Sequence, residues 1–208
     1  MSGVELWLAT NNHKKAAELG RRLPAAVTVR TMDHLASAGV FAPTEDAPDF
    51  AGNARKKAET AAGLLLAAGV AADAIVLADD SGLCVDALDG APGVLSARWA
   101  GEGASDAEQI TKLLEELGKR PSAHRSAHFV CSLVAIRVDG ASFLSTEQRC
   151  EGTISHSPAG DAGFGYDPVF VPAGTSASFA ELDAAEKDAV SHRGKALREF
   201  VHKLLESL

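Results

Sequence analysis

The run Ala74-Ile75-Val76-Leu77-Ala78 passes without interruption into Asp79-Asp80-Ser81-Gly82, and this junction constrains the fold more than any other part of the sequence. Five apolar residues in a row suit a strand buried on both faces, as in a sheet covered by helices. Two neighbouring carboxylates at the end of such a strand are unfavourable unless positive charge faces them. A hard cation with oxygen ligands meets that need, and a carboxylate beside it can then orient or deprotonate water. A polar turn at a strand end, where Asp, Ser and Gly are the usual residues, accounts for the same four positions.

Helix and strand patterns alternate around the junction. Val4 to Ala9 reads as a short buried strand ending in the turn Thr10-Asn11-Asn12, followed by a helix from about His13 to Leu23 that stops before Pro24. Val27 to Arg30 is a second strand. Phe41 to Asp49, with Pro43, Pro48 and the acids Glu45, Asp46 and Asp49, is a loop, and Phe50 to Leu66 is an Ala-rich helix. Downstream, Ser105 is an N-cap for a helix through Leu117, with Glu108 completing a capping box. His128 to Val138 and Ser142 to Glu151 are strands joined by the hairpin signal Asp139-Gly140. A glycine-rich loop, Gly160 to Asp167, precedes a short strand at Val169 to Val171, and a helix from His192 to Leu205 closes the chain. The pattern predicts an α/β fold with a mixed β-sheet flanked by helices. With no linker or internal repeat, the 208 residues are expected to form a single domain, with room for two lobes.

Composition narrows the function classes. The longest apolar stretches fall short of the about 20 residues a membrane span requires, and the N-terminus lacks a signal-peptide pattern. Cys84, Cys131 and Cys150 are scattered without CxxC spacing, so the expected setting is a reducing cytoplasm. A formal net charge of −8 disfavours wrapping of long nucleic acid. A small polyanion such as a triphosphate remains compatible, since a few lysines, backbone N–H groups and a metal ion suffice to hold it.

Three further segments carry candidate chemistry. Thr10-Asn11-Asn12-His13-Lys14-Lys15 links a strand to a helix start, where free N–H groups and lysines suit an anion; a capped helix start with solvated lysines is the plain alternative. It is not a Walker loop, because GxxxxGK[ST] is absent. In Gly160-Asp161-Ala162-Gly163-Phe164-Gly165-Tyr166-Asp167-Pro168, glycines permit close approach to a ligand and two aromatics can stack on a planar base or pin the loop to the core. Glu186-Lys187 and Ser191-His192-Arg193-Gly194-Lys195 gather donors for a phosphate or a base edge, or form a Ser-capped helix with a solvated basic turn.

Taken together, these segments resemble the inosine triphosphate pyrophosphatase family, also called Ham1-like, whose bacterial members are known as dITP/XTP pyrophosphatases. The resemblance runs in order over nearly the whole chain. Thr10, Asn12 and Lys15 match TxNxxK, and Phe50 to Ala58 matches FxxNAxxKA. Ala78 to Leu83 matches ADDSGL, followed by Gly90-Ala91-Pro92-Gly93 and Ser96-Ala97-Arg98. Gly163 to Phe170 and Ser191 to Leu197 complete the set.

The resemblance implies Mg²⁺-dependent hydrolysis of non-standard purine nucleoside triphosphates (XTP, ITP, dITP) to the monophosphate and pyrophosphate. It also implies a cytoplasmic homodimer and an elongated two-lobed fold with the active site in the cleft between the lobes. By the same resemblance Asp80 is the general base and a metal ligand. Glu45 is a second ligand, with Asp46 as its competitor because the loop around it is irregular against the family pattern. Lys15 and Lys57 face the phosphates, helped by Thr10, Asn11, Asn12, His13, Lys14 and Ser81. Phe164, Gly165, Tyr166 and Asp167 line the base pocket, and Lys187, His192 and Arg193 contact the base.

The chain departs from the family pattern at Gly52, where many relatives carry an acid, and at Asn11, which replaces a frequent Gly and tolerates the left-handed region. A phosphotransferase and a nucleotide-binding sensor without turnover are the alternatives.

Overall fold

The computed structural model of the chain describes residues 4–35, 40–120, 122 and 124–207. Six strands form one mixed sheet: β1 (Val4–Leu8), β2 (Val27–Thr31), β3 (Ile75–Val85), β4 (Ser126–Arg137), β5 (Ser142–Ile154) and β6 (Phe170–Pro172), in the order β2-β1-β3-β4-β5-β6. β1 pairs in parallel with β2 and with β3, whereas β5 and β6 are antiparallel. The helices are α1 (His13–Gly20), α2 (Phe50–Ala67), α3 (Asp106–Gly118), α4 (Ala184–Val190) and α5 (His192–Glu206). This is the α/β fold with a helix-flanked mixed sheet that the alternating pattern predicts.

The chain divides into two compact units. The first takes the residues up to Asp80, Ser132–Glu147 and the segment from Ala196; the second takes Ser81–Cys131 and Gln148–Lys195. Each has its own apolar core. In the first unit, Trp7, Val76, Ala78, Val134 and Ile136 from the strands, with Ala9 just past β1, pack with Ala54, Ala58, Ala61 and Leu65 of α2. In the second, Leu83, Phe129, Phe170 and Phe179 pack with Ile110, Leu113 and Leu117 of α3.

Local sequence explains the helix starts. Asn12 caps α1 by accepting the Lys15 N–H, and Asp49 caps α2 by accepting the Gly52 N–H. Ser105 and Glu108 form both halves of the capping box on α3. The same device, Asp183 with Glu186, starts α4, a helix absent from the sequence reading above. The D-x-x-E spacing from Asp183 to Glu186 is the local signal for this helix N-terminus.

The largest difference lies at the acid pair. The strand does not end at Ala78; β3 continues through Asp79, Asp80, Ser81 and Gly82 to Val85. The segment is therefore no turn, and both carboxylates sit in the middle of a buried strand. Among the described residues, no helix is long and apolar enough to cross a membrane.

Replacing Ser105 with Ala removes the cap of α3 and should lower stability by about 1 kcal/mol in urea unfolding. A shift indistinguishable from zero would show that the box does not support the helix.

Candidate active site

Successive side chains of a strand point to opposite faces, so Asp79 and Asp80 cannot share one counter-ion in the same way. Each has its own lysine. Lys15, in the first turn of α1, places Nζ 2.5 Å from Asp79 Oδ1, and the Asp79 side chain is wholly buried. Lys57 places Nζ 2.6 Å from Asp80 Oδ1 and 3.2 Å from Glu45 Oε2. Its position follows from the helix period. Asn53, Ala54, Lys57, Ala58, Ala61 and Leu65 recur at helical spacing and form the buried stripe of α2. Lys56, one residue away, turns outward and pairs with Asp46. The acidic loop is thus sorted: Glu45 faces the buried lysine, and Asp46 faces an exposed one.

Burial pushes the Asp80 carboxyl above the usual aspartate value, while the Lys57 and Lys15 ammonium groups pull it back without cancelling the rise. Burial works against the charge on Lys57, but Asp80, Glu45 and Asp79 outweigh it and hold the ammonium above its ordinary value. Asp80 Oδ2 is buried with no hydrogen-bond partner among the described residues. A buried carboxylate oxygen in that state is a strong acceptor with an unmet demand.

The Thr10 to Asn12 turn uses its own side chains to start α1. Asn12 N–H donates to Thr10 Oγ1 at 3.0 Å, and Asn12 Oδ1 accepts the Lys15 N–H at 3.1 Å. Asn11 donates from Nδ2 to the Phe41 carbonyl at 2.9 Å. Asn11 is not in the left-handed region: Asp89 is the one non-glycine with positive φ among the described residues. It replaces glycine for its side-chain bond, not for its backbone tolerance. His13 and Lys14 are exposed, and His13 lies 3.8 Å from Asp33 at the surface.

The second unit holds a separate cluster. Gly163 has φ +79°, and a Cβ there would lie 2.1 Å from Asp167 Oδ2, so the loop requires glycine for both reasons. Asp167 folds back to accept the Phe164 N–H at 2.8 Å and the Lys187 ammonium at 2.6 Å. Lys187 Nζ and Arg193 Cζ lie 5.2 and 5.5 Å from the centre of the Phe164 ring. Arg193 also donates to Ser81 Oγ at 2.7 Å. His192 stacks on Phe129, with ring centres 4.6 Å apart and planes 8° from parallel.

Of the two loop aromatics, Tyr166 belongs to the core. It is buried, its hydroxyl donates to the Ser96 carbonyl at 3.0 Å, and burial pushes its pKa far up. Tyr166 thus pins the loop to the core, and Phe164 is the less buried of the two.

At the start of α5, Ser191 Oγ accepts the Gly194 N–H at 3.1 Å, which is the expected Ser cap, but His192 and Arg193 behind it are buried, so the basic turn is not solvated. A Cβ on Gly194 would lie 2.0 Å from the Asp188 carbonyl oxygen, so this glycine lets α4 and α5 meet closely just beside His192 and Arg193. Phe129, against which His192 stacks, carries no sequence signal of a site, and Asn53 stands out in the sequence only as the Asn of the FxxNAxxKA match. Asn53 stands four residues before Lys57 and therefore on the same helix face.

Known proteins share this arrangement of chain. The Ham1 family profile matches residues 6–203. A dITP/XTP pyrophosphatase of Corynebacterium efficiens is 44% identical, with 98% of each chain covered. One of Streptomyces avermitilis is 44% identical over 99% of each. Among solved structures, a HAM1 protein from Coxiella burnetii superposes with a TM-score of 0.84 at 37% identity, covering 98% of this chain and 99% of that one. The Staphylococcus aureus Ham1 protein gives 0.82 at 33% identity, covering 98% and 100%. The similarity extends over almost the full length of both partners in sequence and in fold, and the chain belongs to the Ham1 family.

Proposed function

We propose that this chain hydrolyses non-standard purine nucleoside triphosphates (XTP, ITP and dITP) to the monophosphate and pyrophosphate. In this reading residues 1–208 act as one functional domain, as a homodimer, in the cytoplasm. The observation that carries it is the buried acid pair with a lysine on each carboxylate and one carboxylate oxygen without a hydrogen-bond partner among the described residues. Relatives at 44% identity named dITP/XTP pyrophosphatases support the substrate class.

A divalent cation fits the first cluster on two counts. Asp80 Oδ2 is a buried oxygen in need of a partner, and hard cations take oxygen ligands. The carboxylates of Asp79, Asp80 and Glu45 also outnumber the ammonium groups of Lys15 and Lys57, so the cluster as it stands repels a polyphosphate. Mg²⁺ is commonly held by one or two carboxylates together with substrate phosphates. Asp80 and Glu45 would hold it, and Asp46, paired with Lys56 at the surface, would not. When bound, the ion supplies charge neutralisation at the phosphates and acidifies water.

The chain's own groups divide the remaining work. Asp80, with its raised pKa, accepts the proton of the attacking water. Lys57 and Lys15 turn from carboxylates to phosphate oxygens, with Thr10, Asn11, Asn12, His13, Lys14 and Ser81 lining the triphosphate. Phe164, Gly165, Tyr166 and Asp167 shape the base site, Tyr166 by holding the loop from the core side. Lys187, His192 and Arg193 face the base. Cationic donors match the 6-oxo acceptor of hypoxanthine and xanthine, whereas the amino group of adenine leaves a donor facing a donor.

The test is product analysis with Mg²⁺ and ITP, XTP, dITP, ATP or GTP. Pyrophosphate released from ITP or XTP, with little from ATP, is expected; orthophosphate, phosphate transfer or binding without turnover would overturn the proposal. Asp80→Asn should lower kcat by at least about 100-fold with the fold intact by circular dichroism. Near-normal turnover would remove Asp80 from the role of base.

Lys57→Met leaves Asp80 buried without its nearest cation, a change that costs about 3–5 kcal/mol for buried pairs. Without Lys57 the folded-state pKa of Asp80 rises further, so the folded state favours the protonated acid. Its stabilising contribution is then present at low pH and lost as pH rises through that pKa. The deficit in urea unfolding should therefore be larger at neutral pH than at acid pH. The same deficit at both would show that the pair is not the cause.

A further inference from the structure

We infer that Asn53 is a positioning residue for Glu45: it anchors the backbone of the acidic loop so that this carboxylate faces the Lys57–Asp80 pair. The inference rests on the reading of Glu45 as a metal ligand. Asn53 is fully buried in the first turns of α2, and its Oδ1 accepts the Ala47 N–H at 2.9 Å. That donor fixes the amide orientation and leaves Nδ2 buried with no partner among the described residues. A buried donor left unmatched in this way is unfavourable, so the amide is not held there by its own full satisfaction.

Two neighbouring contacts act in the same place. Asp49 accepts the Gly52 N–H at 2.7 Å and, through its carbonyl, the Asn53 N–H at 3.2 Å. Gly52 has no Cβ, and one built there would lie 2.7 Å from Ala47 Cβ. The loop therefore rests directly on the helix, and only a residue without a side chain at position 52 lets it do so. A larger side chain at this position has no room with the loop in this conformation. Two residues before Ala47, Glu45 reaches Lys57, which stands one helical turn beyond Asn53 on the same face. One face of α2 thus holds both the loop backbone, through Asn53, and the loop carboxylate, through Lys57.

Mutations of groups that support metal ligands typically weaken metal affinity by about 10-fold or more. The test is a double-mutant cycle read by calorimetric Mg²⁺ binding to the nucleotide-free protein: wild type, Asn53→Ala, Glu45→Gln and the double variant, with thermal unfolding alongside. Asn53→Ala should weaken Mg²⁺ binding about 10-fold in the wild-type background and leave it nearly unchanged in the Glu45→Gln background. An equal loss in both backgrounds, or no loss in either, overturns the inference. Glu45→Gln without any effect on Mg²⁺ binding overturns the ligand reading itself and the inference with it. Should Asn53→Ala fail to fold, Gly52→Ala displaces the same loop without touching Asn53, and the same dependence on Glu45 is expected of it.

Discussion

Two adjacent carboxylates lie in the middle of a buried strand, and the chain must supply positive charge to both of its faces. Two helices of the first unit answer that need. The β-pleat sends Asp79 and Asp80 in opposite directions, so two separate helices each deliver a lysine, Lys15 from the first turn of α1 and Lys57 from the buried stripe of α2. The helix starts are capped by Asn12 and Asp49, which fix the positions from which those lysines reach. Small alanines at positions 54, 58 and 61 fill the rest of the stripe and are fully buried in the same core. A pair of charges so deeply placed is weak evidence for stability, since the desolvation penalty offsets much of the attraction.

The second unit solves a related problem with a loop. Asp167 is buried and answers both a backbone N–H and the Lys187 ammonium, and Gly163 is required because that carboxylate occupies the space of a side chain. Lys187 and Arg193 then lie near the Phe164 ring, while His192 is set by its stack on Phe129. Lys187 and Arg193 thus place two oriented cations beside an aromatic ring. Such a group suits a flat ligand with acceptor atoms on its edge.

Much of this was legible in the sequence, for reasons that differ from place to place. The apolar run at 74–78, the capping box at Ser105 and the Asp139-Gly140 turn are local signals, and the structure forms the expected element at each. The continuation of β3 through Asp79 to Gly82 was not legible, because those residues are the ones usually found in turns and only tertiary burial with distant lysines reverses the preference. The division of Glu45 from Asp46 was equally hidden. It depends on which of two adjacent lysines faces inward, a matter of helix phase. Asn11 and Tyr166 show the same limit. Residue type suggested a left-handed turn and a stacking ring, and the structure uses an amide hydrogen bond and a core hydroxyl.

The electrostatics of Asp80 connect the fold to the proposed chemistry, and the carboxyl can be observed directly. In the metal-free protein, carbon-detected NMR of the Asp80 side chain across a pH titration should give a midpoint above the usual aspartate value of 3.8, because burial outweighs its two lysines. Adding Mg²⁺ should move that midpoint down. A midpoint at or below 3.8 without metal, or one that Mg²⁺ leaves unmoved, would contradict the account of Asp80 as a buried base and metal ligand.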